Sequence, residues 1–165
     1  MRSDNWQSHV RAYREEDCDA IIEVYRAAVR ISARRDYSEE QVRAWAPDQA
    51  NRDRWLVRYR TRPAWVVDID GTIAGFTDLE DDGHLDMMFV HPAFDGRGVA
   101  SALLAQVEAR AALMGLSRIF VEASLTARPF FERKGFTVIA QQEVTIRGQT
   151  LTNFRMEKIR PATDI

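Results

Sequence analysis

At 165 residues the chain has room for one domain with a substantial core, expected over 1–165. A formal net charge of −2, from 23 Lys and Arg against 25 Asp and Glu, supplies no field that would draw it to nucleic acid or an anionic membrane, so neither is expected as a partner. No basic leader with an apolar core opens the sequence and no run approaches the ~18 apolar residues of a spanning helix, which predicts a cytoplasmic protein.

The stretch from His9 to Tyr13 reads as a first strand, and a helix follows over roughly Asp17 to Ala33, with Ile21, Tyr25, Ala28, Val29 and Ser32 on one face. Cys18 is the only cysteine, so no intrachain disulfide and no cysteine cluster for a metal is expected. Its acidic neighbours Glu15, Glu16, Asp17 and Asp19 raise a thiol pKa, which argues against a nucleophile. Ser38-Glu39-Glu40-Gln41 has the form of a capping box and predicts a second helix through Val42 and Trp45, stopped by Pro47. A third short helix is expected from Asn51 to Tyr59.

After Pro63 the pattern turns to alternation, Trp65, Val67 and Ile69 against Val66, Asp68 and Asp70. Asp70-Gly71 marks a tight hairpin, Ile73 to Glu80 should return antiparallel, and Asp81-Asp82-Gly83 turns the chain into a strand from His84 to Val90. Gly98 to Met114 then reads as a helix with Val99, Leu103, Val107, Ala111 and Met114 in one stripe, closed by Gly115. Arg118 to Ala123 is a strand, and the strand-helix-strand order implies a parallel, right-handed crossover. A short helix from Ala127 to Lys134 ends at Gly135, and Phe136 to Val144 with Thr150 to Lys158 make a last hairpin around Arg147-Gly148-Gln149.

The segment from Leu85 to Leu104 is the most informative. It is a buried strand, a turn bearing Gly96 and Gly98, and the start of a helix whose first N–H groups lack internal partners. Such donors, aligned with the helix dipole, suit a diphosphate. The same glycines also serve an ordinary tight strand-to-helix turn, so this segment alone leaves both readings open. A dinucleotide-binding fold is disfavoured: the full Gly-x-Gly-x-x-Gly is absent, the turn follows antiparallel strands, and no second βαβ half comes after it.

The order β-α-α-β-β-β-α-β-α-β-β over nearly the whole chain resembles the GCN5-related N-acetyltransferase (GNAT) superfamily. Asp95-Gly96-Arg97-Gly98-Val99-Ala100 is similar to that family's phosphate loop, with Asp95 where a cationic or amide residue is usual. A carboxylate facing phosphate would repel it, so Asp95 is expected to point outward, leaving the backbone N–H groups to hold the ligand. Ala127 to Phe136 resembles the family's second motif, with Phe131 in the place of its tyrosine. The resemblance implies an α/β fold with a mostly antiparallel central sheet, flanked by helices and splayed between its parallel fourth and fifth strands.

It also implies transfer of an acetyl group from acetyl-coenzyme A to the primary amine of a small acceptor by direct attack. Gly96, Arg97, Gly98, Val99, Ala100 and Ser101 would cradle the diphosphate, and Met88, Phe89 and Val90 would run beside the pantetheine arm, although these three also read as a plain core strand. A backbone N–H near Val90 is the implied oxyanion donor. Asp86 and Glu122 are the carboxylates expected near the cleft as base, with Asp78 or Glu80 acting through water and solvated strand polarity as the alternative for each. Ser124 stands where the family often has an asparagine; it is either a catalytic hydroxyl or a helix cap. Phe131 cannot donate a proton. Among Arg97, Arg128, Arg133 and Lys134, Arg97 is the favoured phosphate contact. Tyr37, Trp45 and Trp55 offer aromatic walls and Asp78, Glu80 and Asp86 negative charge, pointing to a cationic amine; packing in the core is the alternative for the aromatics. His84 and His91 read as turn residues. A homodimer is left open, and an idle acyl-coenzyme A sensor is the rival function, because of Phe131.

Overall fold

The computed structural model describes residues 6–161; 1–5 and 162–165, which belong to the expected 1–165 domain, lie outside the described residues. Strand β1 (Val10–Ala12) leads into helix α1 (Cys18–Arg30), which buries Ile21, Val24, Ala28 and Val29. The Ser38 capping box forms in both directions, Gln41 N–H to Ser38 Oγ at 3.1 Å and Ser38 N–H to Gln41 Oε1 at 2.8 Å, and starts α2 (Glu39–Trp45). Asn51 caps α3 (Arg52–Thr61) by accepting the Arg54 N–H at 3.2 Å.

Strands β2 (Ala64–Ile69) and β3 (Thr72–Asp78) join through Asp70 and Gly71, both at positive φ, as the hairpin signal requires. With β4 (Met88–Val90) they form an antiparallel sheet ordered β1-β2-β3-β4. The alternation expected for β2 fails in its first half, where Ala64, Trp65, Val66 and Val67 are all buried. The cause is tertiary. Val66 packs with Ile21, Val24, Tyr59 and Phe76 on one face, while Val67 packs with Val99 and Leu103 of helix α4 (Val99–Leu113) on the other.

The second sheet is built from β5 (Arg118–Ser124), β6 (Thr137–Ile146) and β7 (Gln149–Ile159) in the order β5-β7-β6, with α5 (Arg128–Arg133) connecting β5 to β6. The strand expected from His84 to Val90 is broken. Only Met88–Val90 pairs with β3, because the Asp78 carboxylate accepts the N–H groups of Asp86 at 2.9 Å and Met87 at 3.1 Å and pulls the chain out of the ladder. The expected parallel pair shrinks to one bridge between His84 and Phe120, with Leu85 N–H on the Phe120 carbonyl at 2.9 Å. Beyond that bridge β4 and β5 are not hydrogen-bonded to one another, and the two sheets open.

Candidate active site

The opening between the sheets exposes one edge of β4. Phe89 lies opposite Phe76, and the flanking bonds run from Asp78 N–H to Met87 O and from His91 N–H to Ala74 O. In an antiparallel ladder bonded and non-bonded pairs alternate, so the N–H and C=O groups of Met88 and Val90 point away from β3 and into the gap. The same chain then bends through Gly96 (φ +73°) and Gly98 (φ +89°) into α4. Gly98 is the N-cap and gives no side-chain cap; the first helical bond is Ala102 N–H to Gly98 O at 3.1 Å. The N–H groups of Val99, Ala100 and Ser101 thus stand at an uncapped, electropositive helix end. A Cβ on Gly96 would meet nothing within 4 Å, so the turn is open on its outer side.

Three cavities share walls here. The first runs along Met88, Phe89, Val90 and Ala100 and is walled by Ser124, Phe130 and Phe131. Through Trp45, Phe89 and Ser124 it adjoins a second, where Asp86, Glu122, Ser124 and Asn153 meet between Tyr25 and Tyr37. Tyr25, Trp45 and Met87 also line a third, of about 220 Å³, opening between α1, α3 and the β6–β7 turn. The three thus lie in series, wall to wall, from the strand edge to the opposite mouth.

Over residues 33–158 the sequence matches the family model described as an acetyltransferase (GNAT) domain. The chain belongs to the GNAT acetyltransferase family. The uncharacterized N-acetyltransferase YafP of Escherichia coli (strain K12) is 37% identical over 147 residues, covering 89% of this chain and 93% of the relative. A GCN5-related N-acetyltransferase from Rhodopseudomonas palustris, known from its crystal structure, superposes with a TM-score of 0.90 at 30% identity over 96% of this chain and 98% of that one. YncA of Salmonella typhimurium, a structure that contains acetyl-CoA, superposes at 0.72 with 22% identity, covering 94% and 95%, which shows the shared fold.

Within this GNAT domain several expected site residues take other places. Asp78 is fully buried and is not among the residues lining these three cavities; its carboxylate accepts the Tyr59 hydroxyl at 2.7 Å besides the two amides. Burial raises its pKa, and those three hydrogen bonds pull the other way without cancelling the rise. Asp95 is exposed, at the rim of the strand-edge cavity, and its carboxylate accepts the Ser32 hydroxyl at 2.8 Å. Asp86 reaches the central cavity, but Arg58 and Arg62 both donate to its Oδ2. Tyr37 is buried, donating to Thr152 O at 2.5 Å and accepting the Leu125 N–H at 2.9 Å, and lines the central cavity. Trp45 touches all three cavities. Ser124 accepts the Ala127 N–H at 3.0 Å in the turn between β5 and α5, a strand-end role, and still lines the central cavity. The Arg97 guanidinium lies over the rings of Trp6 and Phe94, at 5.2 and 5.3 Å. Arg128 is held by Glu132 and the Phe154 ring.

The residue that sequence reasoning undervalued is His84. Its Nδ1 lies 2.8 Å from Glu80 Oε1, its Nε2 2.5 Å from Glu122 Oε2, and its ring stacks on Phe120. Burial lowers its pKa, but the hydrogen bonds to Glu122 and Glu80 outweigh that and raise it. Ligand atoms of Glu80, His84 and Asp86 come within 4.8 Å of one another, yet the two guanidiniums already occupy Asp86. Cys18 is fully buried, which lifts its thiol pKa as expected, though by desolvation more than by its acidic neighbours.

Proposed function

We propose that the protein moves an acetyl group from acetyl-coenzyme A to the primary amine of a small acceptor by direct attack. The observation that carries this is the alignment of the open β4 edge with the uncapped start of α4. One extended ligand can pair with the backbone of Met88 and Val90 and set a diphosphate on Gly98, Val99, Ala100 and Ser101. Gly96, where an added Cβ would meet nothing within 4 Å, leaves space for that approach, so the residues present fit the coenzyme, and the acetyl-CoA held by the fold relative YncA supports the same choice. Bound there, the thioester supplies an activated acyl carbon.

The chain's own groups do the rest. Val90 N–H, aimed into the gap, donates to the negative charge that develops on the acyl oxygen. Glu122 takes the amine proton: one of its oxygens is held by His84 and the other has no partner among the described residues, whereas Asp86 is engaged by two arginines. His84 is a positioning residue, braced from behind by Glu80. Ser124 accepts the Ala127 N–H through its oxygen and keeps its own O–H to hydrogen-bond the departing thiolate, which leaves as the anion and takes its proton from water.

The rival reading, an acyl-coenzyme A sensor, is favoured by Phe131, which presents no hydroxyl to the cavity. Thiol release from acetyl-coenzyme A with a panel of primary amines separates the two. Amine-dependent release is expected, and Glu122→Gln should lower kcat by about 100-fold while leaving coenzyme A affinity intact. Tight binding with no turnover on any amine would overturn the enzyme in favour of the sensor.

A further inference from the structure

The third cavity bears on what the acceptor is. Four arginines line it, Arg26, Arg54, Arg58 and Arg147, with Tyr25, Trp45 and Trp55 as aromatic walls, and no Asp or Glu is among its lining residues. Arg58 is neutralised by Asp86. The other three are not balanced in the same way. Arg26 faces only the exposed Glu23, at 3.5 Å. Arg147 donates to the uncharged Ala44 carbonyl at 2.7 Å. The Arg54 guanidinium has no carboxylate within ion-pair distance among the described residues. Meanwhile the negative charge that would favour a cationic acceptor is absent from this mouth, since Asp78 is buried and Asp86 is bound by arginines.

Arg147 adds a second, independent observation. It occupies a left-handed backbone position (φ +45°) at the tip of the β6–β7 hairpin, where Asn, Asp or Gly is the easy choice. The contact to Ala44 ties this tip to the end of α2 and keeps the side chain at the cavity wall. Its charge is felt by the Tyr25 hydroxyl, whose pKa burial pushes up to about 12 against the opposing pull of Arg147 and Arg58.

Building on the acetyl-transfer reading, we infer that the acceptor is an amine that also carries an oxyanion group, a carboxylate, phosphonate or sulfonate, which these arginines hold. Guanidinium matches such groups through paired N–H donors. Because the arginine cavity shares Tyr25, Trp45 and Met87 with the central one, an anion held there directs the amine end toward Glu122.

The test uses the full chain with coenzyme A and pairs of amines that differ only in charge: β-alanine, aminoethylphosphonate and taurine against propylamine and putrescine. Binding is followed by the fluorescence of Trp45 and Trp55, and turnover separately by thiol release. At least one anionic amine should bind tenfold or more tighter than propylamine, and Arg54→Gln and Arg147→Gln should each erase that preference; the best of the three anions identifies the oxyanion. Arg54 is exposed on α3, so its replacement reads the charge without disturbing the hairpin. Equal or tighter binding of propylamine or putrescine, or a preference that survives both substitutions, would overturn the inference. Arginine-dependent binding without thiol release would uphold it and remove the transfer reading instead.

Discussion

Gly98 sits at φ +89°, a conformation costing an L side chain about 1 kcal/mol, and its place at the head of α4 brings any side chain to the donor N–H groups. Gly98→Glu should therefore abolish coenzyme A binding in calorimetry, with a modest loss of stability; unchanged affinity would remove the cradle from this turn. His84 makes a different prediction. Its folded pKa lies above the ordinary value of 6.5, so its charged form stabilises the fold fully below that value, and the contribution fades as pH rises through the raised one. The difference in urea-unfolding free energy between wild type and His84→Gln should shrink from mildly acidic to alkaline pH. A constant difference would mean that neither Glu80 nor Glu122 favours the imidazolium. Local chemistry made Gly96 and Gly98 legible in the sequence as a turn into a helix. Nothing local could show that Glu80, 4 residues before His84, and Glu122, 38 after, would meet its two nitrogens.

At the scale of elements, the break in the strand before Met88 depends on one carboxylate. Asp78 Oδ1 takes the amides of Asp86 and Met87 and Oδ2 the hydroxyl of Tyr59. Asp78→Ala would strand these donors in a buried site, costing about 3 kcal/mol or more by chemical denaturation. Asp78→Asn keeps one oxygen for the amides and turns its NH₂ toward Tyr59, so it should retain most of the stability; equal losses in both would refute the hub. The elements that the sequence revealed are those set by near neighbours: the Ser38–Gln41 capping box, the Asp70-Gly71 turn, the apolar stripe of α4. Those it concealed are set by distant partners. β2 reads as half-exposed until helices cover both its faces, and the strand from His84 reads as continuous until Asp78 interrupts it. The state of Asp86 was concealed for the same reason, since it counts as a free carboxylate until Arg58 and Arg62 fold onto it.

Across the whole molecule, the two sheets divide the labour. The first carries the open β4 edge, and the second supplies Glu122, Ser124 and the hairpin whose Arg147 lines the arginine cavity. In that second sheet β5 pairs only with β7 and β6 only with β7, so the strand nearest the end of the described chain is the central one. Pairings so far apart in sequence form slowly. In pulsed hydrogen exchange during refolding, amides of β5 should gain protection no earlier than those of β7; earlier protection of β5 would show it folding against another partner.

The order β5-β7-β6 also matters during synthesis. Until residues 149–159 clear the ribosome, β5 has no strand to pair with, and Ile119, Val121 and Ala123 lack the cover of Phe154 and Met156. A chain stalled before that point would carry a ready template for aggregation, and the emergence of β7 is the event that closes it.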